Sequence, residues 1–198
     1  MKIRAPRLPM LTLVAGALSY ACGEQTSPLG LAEAGTTLDA RNGGLVASPF
    51  KASLYTDLVS LAPDPICGAP PWVLNVQAGE GEATGLGRFS VHITFCVDAT
   101  DLLDDGTLTE GESAPYVLGS GTLVAANGDE LYMTIEGAVL PSSHPDYAFE
   151  FFDPWEFVGG TGRFAGASGA GVTSSFVDFT ATPSRTHHTW TGMIEIPR

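Results

Sequence analysis

The sequence predicts one all-β domain, built as an antiparallel barrel or sandwich, and three observations carry that reading. Short runs rich in Val, Ile, Phe, Tyr and Thr alternate apolar and polar residues with a period of two. Turn residues interrupt those runs at roughly 8–12-residue spacing. No stretch carries the 3.6-residue apolar period of an amphipathic helix. With 198 residues, 44% of them hydrophobic and 16% charged, the chain is long enough for one real core. Its 24 Gly and 14 Pro are mixed with Val, Phe and Thr, which suits strands joined by turns better than disorder.

Taken in order, Lys51–Ser60 is the first strand candidate, and the prolines Pro63, Pro65, Pro70 and Pro71 then forbid regular structure. Trp72–Ala78 follows. Phe89–Val97 alternates cleanly, with Phe89, Val91, Ile93, Phe95 and Val97 on one face and Ser90, His92, Thr94 and Cys96 on the other. Tyr116–Ala126 and Glu130–Ala138 flank Asn127-Gly128, the strongest short hairpin signal in the chain. Tyr147–Phe152, Trp155–Val158, Val172–Ala181 and Thr186–Ile196 complete a set of about eight strands.

The first 21 residues read as an export signal. Lys2, Arg4 and Arg7 precede the apolar run Met10–Leu18, and small residues follow at Ser19 and Ala21. That run is shorter than the roughly 20 residues that cross a bilayer. An ordinary signal peptidase accepts such a site. The segment Leu18-Ser-Tyr-Ala-Cys22 also resembles a lipobox, in which the Cys becomes lipidated and forms the new N-terminus. The lipoprotein reading is preferred, because a polar stretch follows a Cys placed directly after a small residue. The expected organisation is a signal peptide over 1–21, a flexible tether over 22–49 and a barrel domain over 50–198. Localisation is then the cell envelope through a lipid anchor, or secretion.

Cysteine parity points the same way. An exported protein with three cysteines, Cys22, Cys67 and Cys96, has one left over. With lipid on Cys22, Cys67 and Cys96 can pair in an oxidising compartment; the alternative is two buried free thiols. Charge excludes one class of partner. Nine Lys and Arg face 22 Asp and Glu, for a net charge of -13, and three of the basic residues belong to the signal peptide. A surface that negative repels nucleic-acid backbones.

The chain carries several motifs whose residue types could support chemistry. Gly160-Thr-Gly162-Arg-Phe-Ala165 satisfies a dinucleotide fingerprint, but the Gly- and Ala-rich continuation is a poor helix, and that site needs a helix N-terminus for the pyrophosphate. Residues 101–112 place Asp101, Asp105, Gly106 and Glu112 as a calcium loop does, yet Leu103 stands where a ligand is needed and no helices flank it. Neither a cofactor nor a resident metal is therefore expected. His187 and His188 are adjacent and point to opposite faces of a strand, a poor geometry for sharing one metal; His188 shares its face with Trp190 and Ile194. Gly85-Leu-Gly-Arg-Phe89 echoes Gly160-Thr-Gly-Arg-Phe164. In each, glycine allows a turn at a strand start, and Arg88 or Arg163 is suited to binding carbonyls or a carboxylate there.

Val158-Gly-Gly-Thr-Gly-Arg-Phe-Ala-Gly-Ala-Ser-Gly169 resembles the GGTG.F.GA.G segment of dirigent and allene oxide cyclase-like proteins. The Gly85–Phe89 segment and the Ala126–Asp129 turn are similar to those of uncharacterised bacterial secreted proteins of the same barrel. The resemblance spans residues 50–198 and implies an eight-stranded antiparallel barrel. Its plant members are often oligomeric, and they guide radical coupling or cyclise an epoxide in the barrel cavity. None of their active-site residues matches a position here, so no catalytic residue is assigned. The leading expectation is a non-enzymatic envelope barrel that binds a small apolar ligand, with His188 or Asp178 orienting it. The alternatives are an isomerase or cyclase acting in the lumen, and a calcium-dependent envelope protein. Mass spectrometry of the mature N-terminus tests the anchor: a chain beginning at a lipidated Cys22 is expected, and an unmodified one means a soluble exported protein.

Overall fold

The computed structural model describes residues 44–102 and 106–198. The signal peptide, Cys22 and the tether as far as residue 43 lie outside the described residues. Nine strands follow in order: β1 (Leu45–Ala62), β2 (Trp72–Ala83), β3 (Gly87–Asp98), β4 (Ala114–Ala125), β5 (Glu130–Pro141), β6 (Phe149–Phe151), β7 (Pro154–Gly160), β8 (Ser168–Asp178) and β9 (Arg185–Pro197). Each pairs antiparallel with its neighbours, and β1 pairs with β9 as well as β2, so the sheet closes on itself. Strands β6 and β7 both pair with β5 and with β8. They are two pieces in one seat, which makes an eight-position antiparallel barrel.

The seam between first and last strands is the longest ladder. It runs from Leu45 opposite Pro197 to Asp57 opposite Arg185. Residues 45–49, expected in the tether, are therefore part of β1. Their side chains are largely exposed, so no buried alternation marks them in sequence; only the partner strand holds them. At the far end of the seam, Arg185 donates to both Asp57 oxygens, at 2.7 and 3.0 Å, and its guanidinium lies 4.1 Å from the Tyr55 ring centre.

The expected inner face of β3 is the observed one. Phe89, Val91, Ile93, Phe95 and Val97 are buried, and they join Phe50 and Leu54 of β1, Leu123 of β4, Leu131 and Met133 of β5, and Trp190 and Ile194 of β9 in one core. Half of the barrel is filled by aromatic rings. Phe50 meets Phe157 edge-on at 4.9 Å and Trp155 at 5.6 Å, and Trp155 lies 6.1 Å from Trp190. Pairs of this geometry add about 0.5–1.5 kcal/mol each beyond their burial.

The two echoed glycine segments lie at this filled end. Gly87 and Gly162 have φ of 73° and 54°, a region that suits glycine, and a Cβ on Gly162 would also strike the Asp129 carboxylate. Arg163 links the two segments directly by donating to the Leu86 carbonyl at 3.2 Å. Leu86 and Phe164 are buried in the core beside them. The tight turn at Asn127-Gly128 joins β4 to β5 as expected, with Gly128 at φ 87°.

The opposite end carries the proline-rich connection between β1 and β2. Here Cys67 and Cys96 form a disulfide with Cα atoms 5.4 Å apart. Asp64 caps the short 3-10 turn Pro65–Cys67 by accepting from the Ile66 N–H. Cys96 sits on the outward face of β3, so the bridge fastens this connection over the barrel wall. The sequence separation of 29 residues sets the expected outcome of Cys67→Ala with Cys96→Ala: a loss of roughly 3–4 kcal/mol in a urea unfolding series, in the chain-entropy account.

Candidate functional site

The other half of the barrel is not filled. At the end where β1, β3 and β8 finish, an outer chamber of about 220 Å³ opens between Leu61, Val97, Val139, Phe149, Val177 and Phe179. Gln77, Phe95 and Phe151 line its inner end and also line a second chamber of about 30 Å³. That inner space is bounded further by Tyr116, Thr173, Ser175, His188 and Trp190. The result is a funnel with apolar walls and a polar neck. Its outer part has room for a small molecule, and its inner part holds only a water molecule or two.

The polar neck arises because four strands place hydrogen-bonding side chains on inward faces that are elsewhere largely apolar. Thr56 continues the buried series Phe50, Ala52 and Leu54 on β1. Thr173 and Ser175 precede Val177 on β8, Gln77 stands on β2, and His188 precedes Trp190 on β9. Together they form one chain of bonds: Thr173 to Ser175 at 2.5 Å, Ser175 to His188 Nδ1 at 2.8 Å, His188 Nε2 to Thr56 at 2.9 Å, and Thr56 to Gln77 Oε1 at 2.5 Å. Burial, with His187 next door as a lesser cause, pushes the His188 imidazole down to about 3. It is neutral at physiological pH, and both of its ring nitrogens are engaged.

A second polar pair lies beside the inner chamber. The Tyr116 hydroxyl donates to Asp153 Oδ2 at 2.7 Å, and the Ala138 N–H donates to Oδ1 at 3.3 Å. Gly137 permits this, since a Cβ there would lie 2.1 Å from the carboxylate. Burial raises the Asp153 carboxyl, and the bonds from Tyr116 and Ala138 offset that only in part. Burial next to Asp153 drives the Tyr116 phenol strongly upward, so it stays protonated and acts as a donor.

The barrel is similar to the solved structure of the pterocarpan synthase dirigent protein GePTS1. The two share 15% identity, the likeness covers 78% of this chain and 86% of that chain, and the TM-score is 0.42. No protein-family model and no curated protein matches the chain. The eight-position antiparallel barrel itself is the fold that the glycine-rich segment Val158–Gly169 implied.

Of the residues named from sequence, His188 faces the lumen with Trp190 as expected. Asp178 does not. It follows Val177 on β8 and so turns outward, where its carboxylate accepts from the Thr180 N–H and hydroxyl. His92, His144 and His187 are exposed. In the loop weighed as a calcium site, Asp101 accepts from the Ser113 N–H and Glu112 from the Thr109 N–H. Among the described residues no cluster of three or more His, Cys, Asp or Glu is placed to hold a metal. Sequence reasoning missed Thr56, Gln77, Ser175, Tyr116 and Asp153. The signal was there for Thr56 and Ser175, each a hydroxyl in register with buried apolar neighbours. Asp153 lies between two strands and had none.

Because His188 titrates lower in the folded chain than its ordinary 6.5, the unfolded chain binds the extra proton between about pH 6.5 and pH 3. Stability should thus fall by about 1.4 kcal/mol per unit as pH drops through that window. His188→Gln, compared with the native chain by denaturant unfolding across it, should lack this slope.

Proposed function

We propose that this chain is an exported, lipid-anchored protein of the cell envelope whose barrel binds a small apolar ligand in the funnel. The observation that carries the proposal is the outer chamber: about 220 Å³ of space walled by Leu61, Val97, Val139, Phe149 and Val177 in a barrel whose other half is packed solid. Leu61 and Phe179 at its mouth are half-exposed, and a hydrophobic ligand seated there would bury them at roughly 25 cal/mol per Å². Export is supported by the signal-like first 21 residues, and by a disulfide of a kind that reducing cytosol does not favour. Anchoring rests on Cys22, its place after Ala21 and its being the cysteine left over.

Binding is preferred to catalysis for two reasons. The groups that could move protons, His188 and the Tyr116–Asp153 pair, adjoin the inner chamber, which is too small for a substrate. Both nitrogens of His188 are also held by Thr56 and Ser175. A thermal-shift screen of lipids, terpenoids and small aromatic compounds tests the proposal. A ligand at 100 times its Kd adds about 2.7 kcal/mol and raises the midpoint accordingly. Val97→Trp, which places an indole in the outer chamber, should abolish the shift while far-UV circular dichroism stays unchanged. A screen without any shift would refute the binding role.

A further inference from the structure

The proton order of the buried chain decides which chemistry the funnel reads. Gln77 Oε1 cannot donate, so Thr56 spends its one proton on it. Toward His188, Thr56 is then an acceptor, which places the ring proton on Nε2. The neutral ring has no second proton, so Nδ1 accepts from Ser175, and Ser175 accepts from Thr173. Every hydroxyl and ring proton in the chain is committed, and all point the same way, toward the carbonyl of Gln77.

The orientation of Gln77 sets that order. Its oxygen is turned to Thr56, and no hydrogen bond from its amide nitrogen joins it to another described residue. Gln77 lines both chambers, so at the narrowing of the funnel its side chain offers N–H. Asn75, two residues earlier on the same inward face, lines the outer chamber, and its Oδ1 is a buried acceptor without a partner, which further disfavours an anion there. No Lys or Arg lines either chamber, and the whole chain carries a net charge of -13. An anion entering this space would lose its hydration and meet no cation in exchange.

We propose that the funnel selects uncharged apolar molecules bearing a hydrogen-bond acceptor oxygen, a ketone or ester carbonyl, which receives the free N–H of Gln77, and that it rejects the corresponding carboxylates. The inference rests on the binding role proposed above and adds the ligand's polar group to it. A donor held by four bonds behind it cannot rotate to suit a hydroxyl proton, so the neck discriminates by bond direction as well as by charge.

Acetophenone, ethylbenzene and benzoate are close in size and differ in the feature that matters, so they serve as probes. Titration calorimetry on the folded domain at neutral pH should show acetophenone binding about five- to tenfold more tightly than ethylbenzene, the factor expected of one hydrogen bond. Benzoate should bind more weakly than either. Gln77→Leu should bring acetophenone down to the level of ethylbenzene. If that variant does not fold, Thr56→Val is the second route: it frees the Gln77 carbonyl to turn into the neck, and 1-phenylethanol should then gain on acetophenone. Equal binding of acetophenone and ethylbenzene to the native chain overturns the inference, as does benzoate binding as well as acetophenone. Those results leave the apolar site standing. Silence of these probes and of the wider screen together would remove the binding role itself.

Discussion

A strand at the edge of a sheet leaves half of its N–H and C=O groups without partners, and this chain meets that constraint by pairing its first strand with its last. The β1–β9 ladder from Leu45 to Asp57 closes the sheet and is clamped on its outer face by the two bonds from Arg185 to Asp57. Everything else follows from closure. Inward positions on every strand become one lumen, and the residues that fill or line it come from segments far apart in sequence.

Closure also leaves one irregular seat. Between β5 and β8 the ladder is completed by two short strands, β6 and β7, rather than one long one. The break between them exposes Phe152 and carries Asp153 inward, over Gly137 and against the Tyr116 hydroxyl. A continuous strand would have kept a carboxylate on one face or the other by alternation. The interruption is what brings a buried acid to the wall of an apolar barrel, where its bonds to Tyr116 and Ala138 are needed to hold it.

The two halves of the lumen obey different balances. Around Phe50, Phe157 and Trp155, large rings pack edge to face against Phe50 and fill the lumen, and Trp190 lies tilted against Trp155 at the border of the inner chamber. Nearer the open end the inward positions carry smaller or polar side chains: Thr56, Gln77, Thr173, Ser175 and Val177. Buried hydroxyls and an imidazole are costly unless each is bonded, and the Thr173–Ser175–His188–Thr56–Gln77 chain bonds each in turn. The polar side chains thereby maintain an opening that larger apolar ones would have filled.

Much of this protein was legible in its sequence because alternation is a local property. The apolar face of Phe89–Val97, the Asn127-Gly128 turn and Gly87 at the start of β3 each declare themselves within a few residues and stand where expected, whereas Gly162 opens a 3-10 turn between β7 and β8 rather than a strand. Cysteine parity pointed to Cys67 and Cys96 as a pair, and they are bridged. What sequence did not reveal depends on partners distant along the chain. Residues 45–49 belong to the barrel through β9 alone, and Tyr147–Phe152 and Trp155–Val158, read as separate strands, share one seat because β5 and β8 leave room for one. Gln77 became a donor at the neck only because Thr56, 21 residues away, takes its oxygen, and Thr56 in turn is oriented by His188, 132 residues away. Alternation assigns a residue to a face; which groups meet on that face is decided by the closed sheet that brings the strands together.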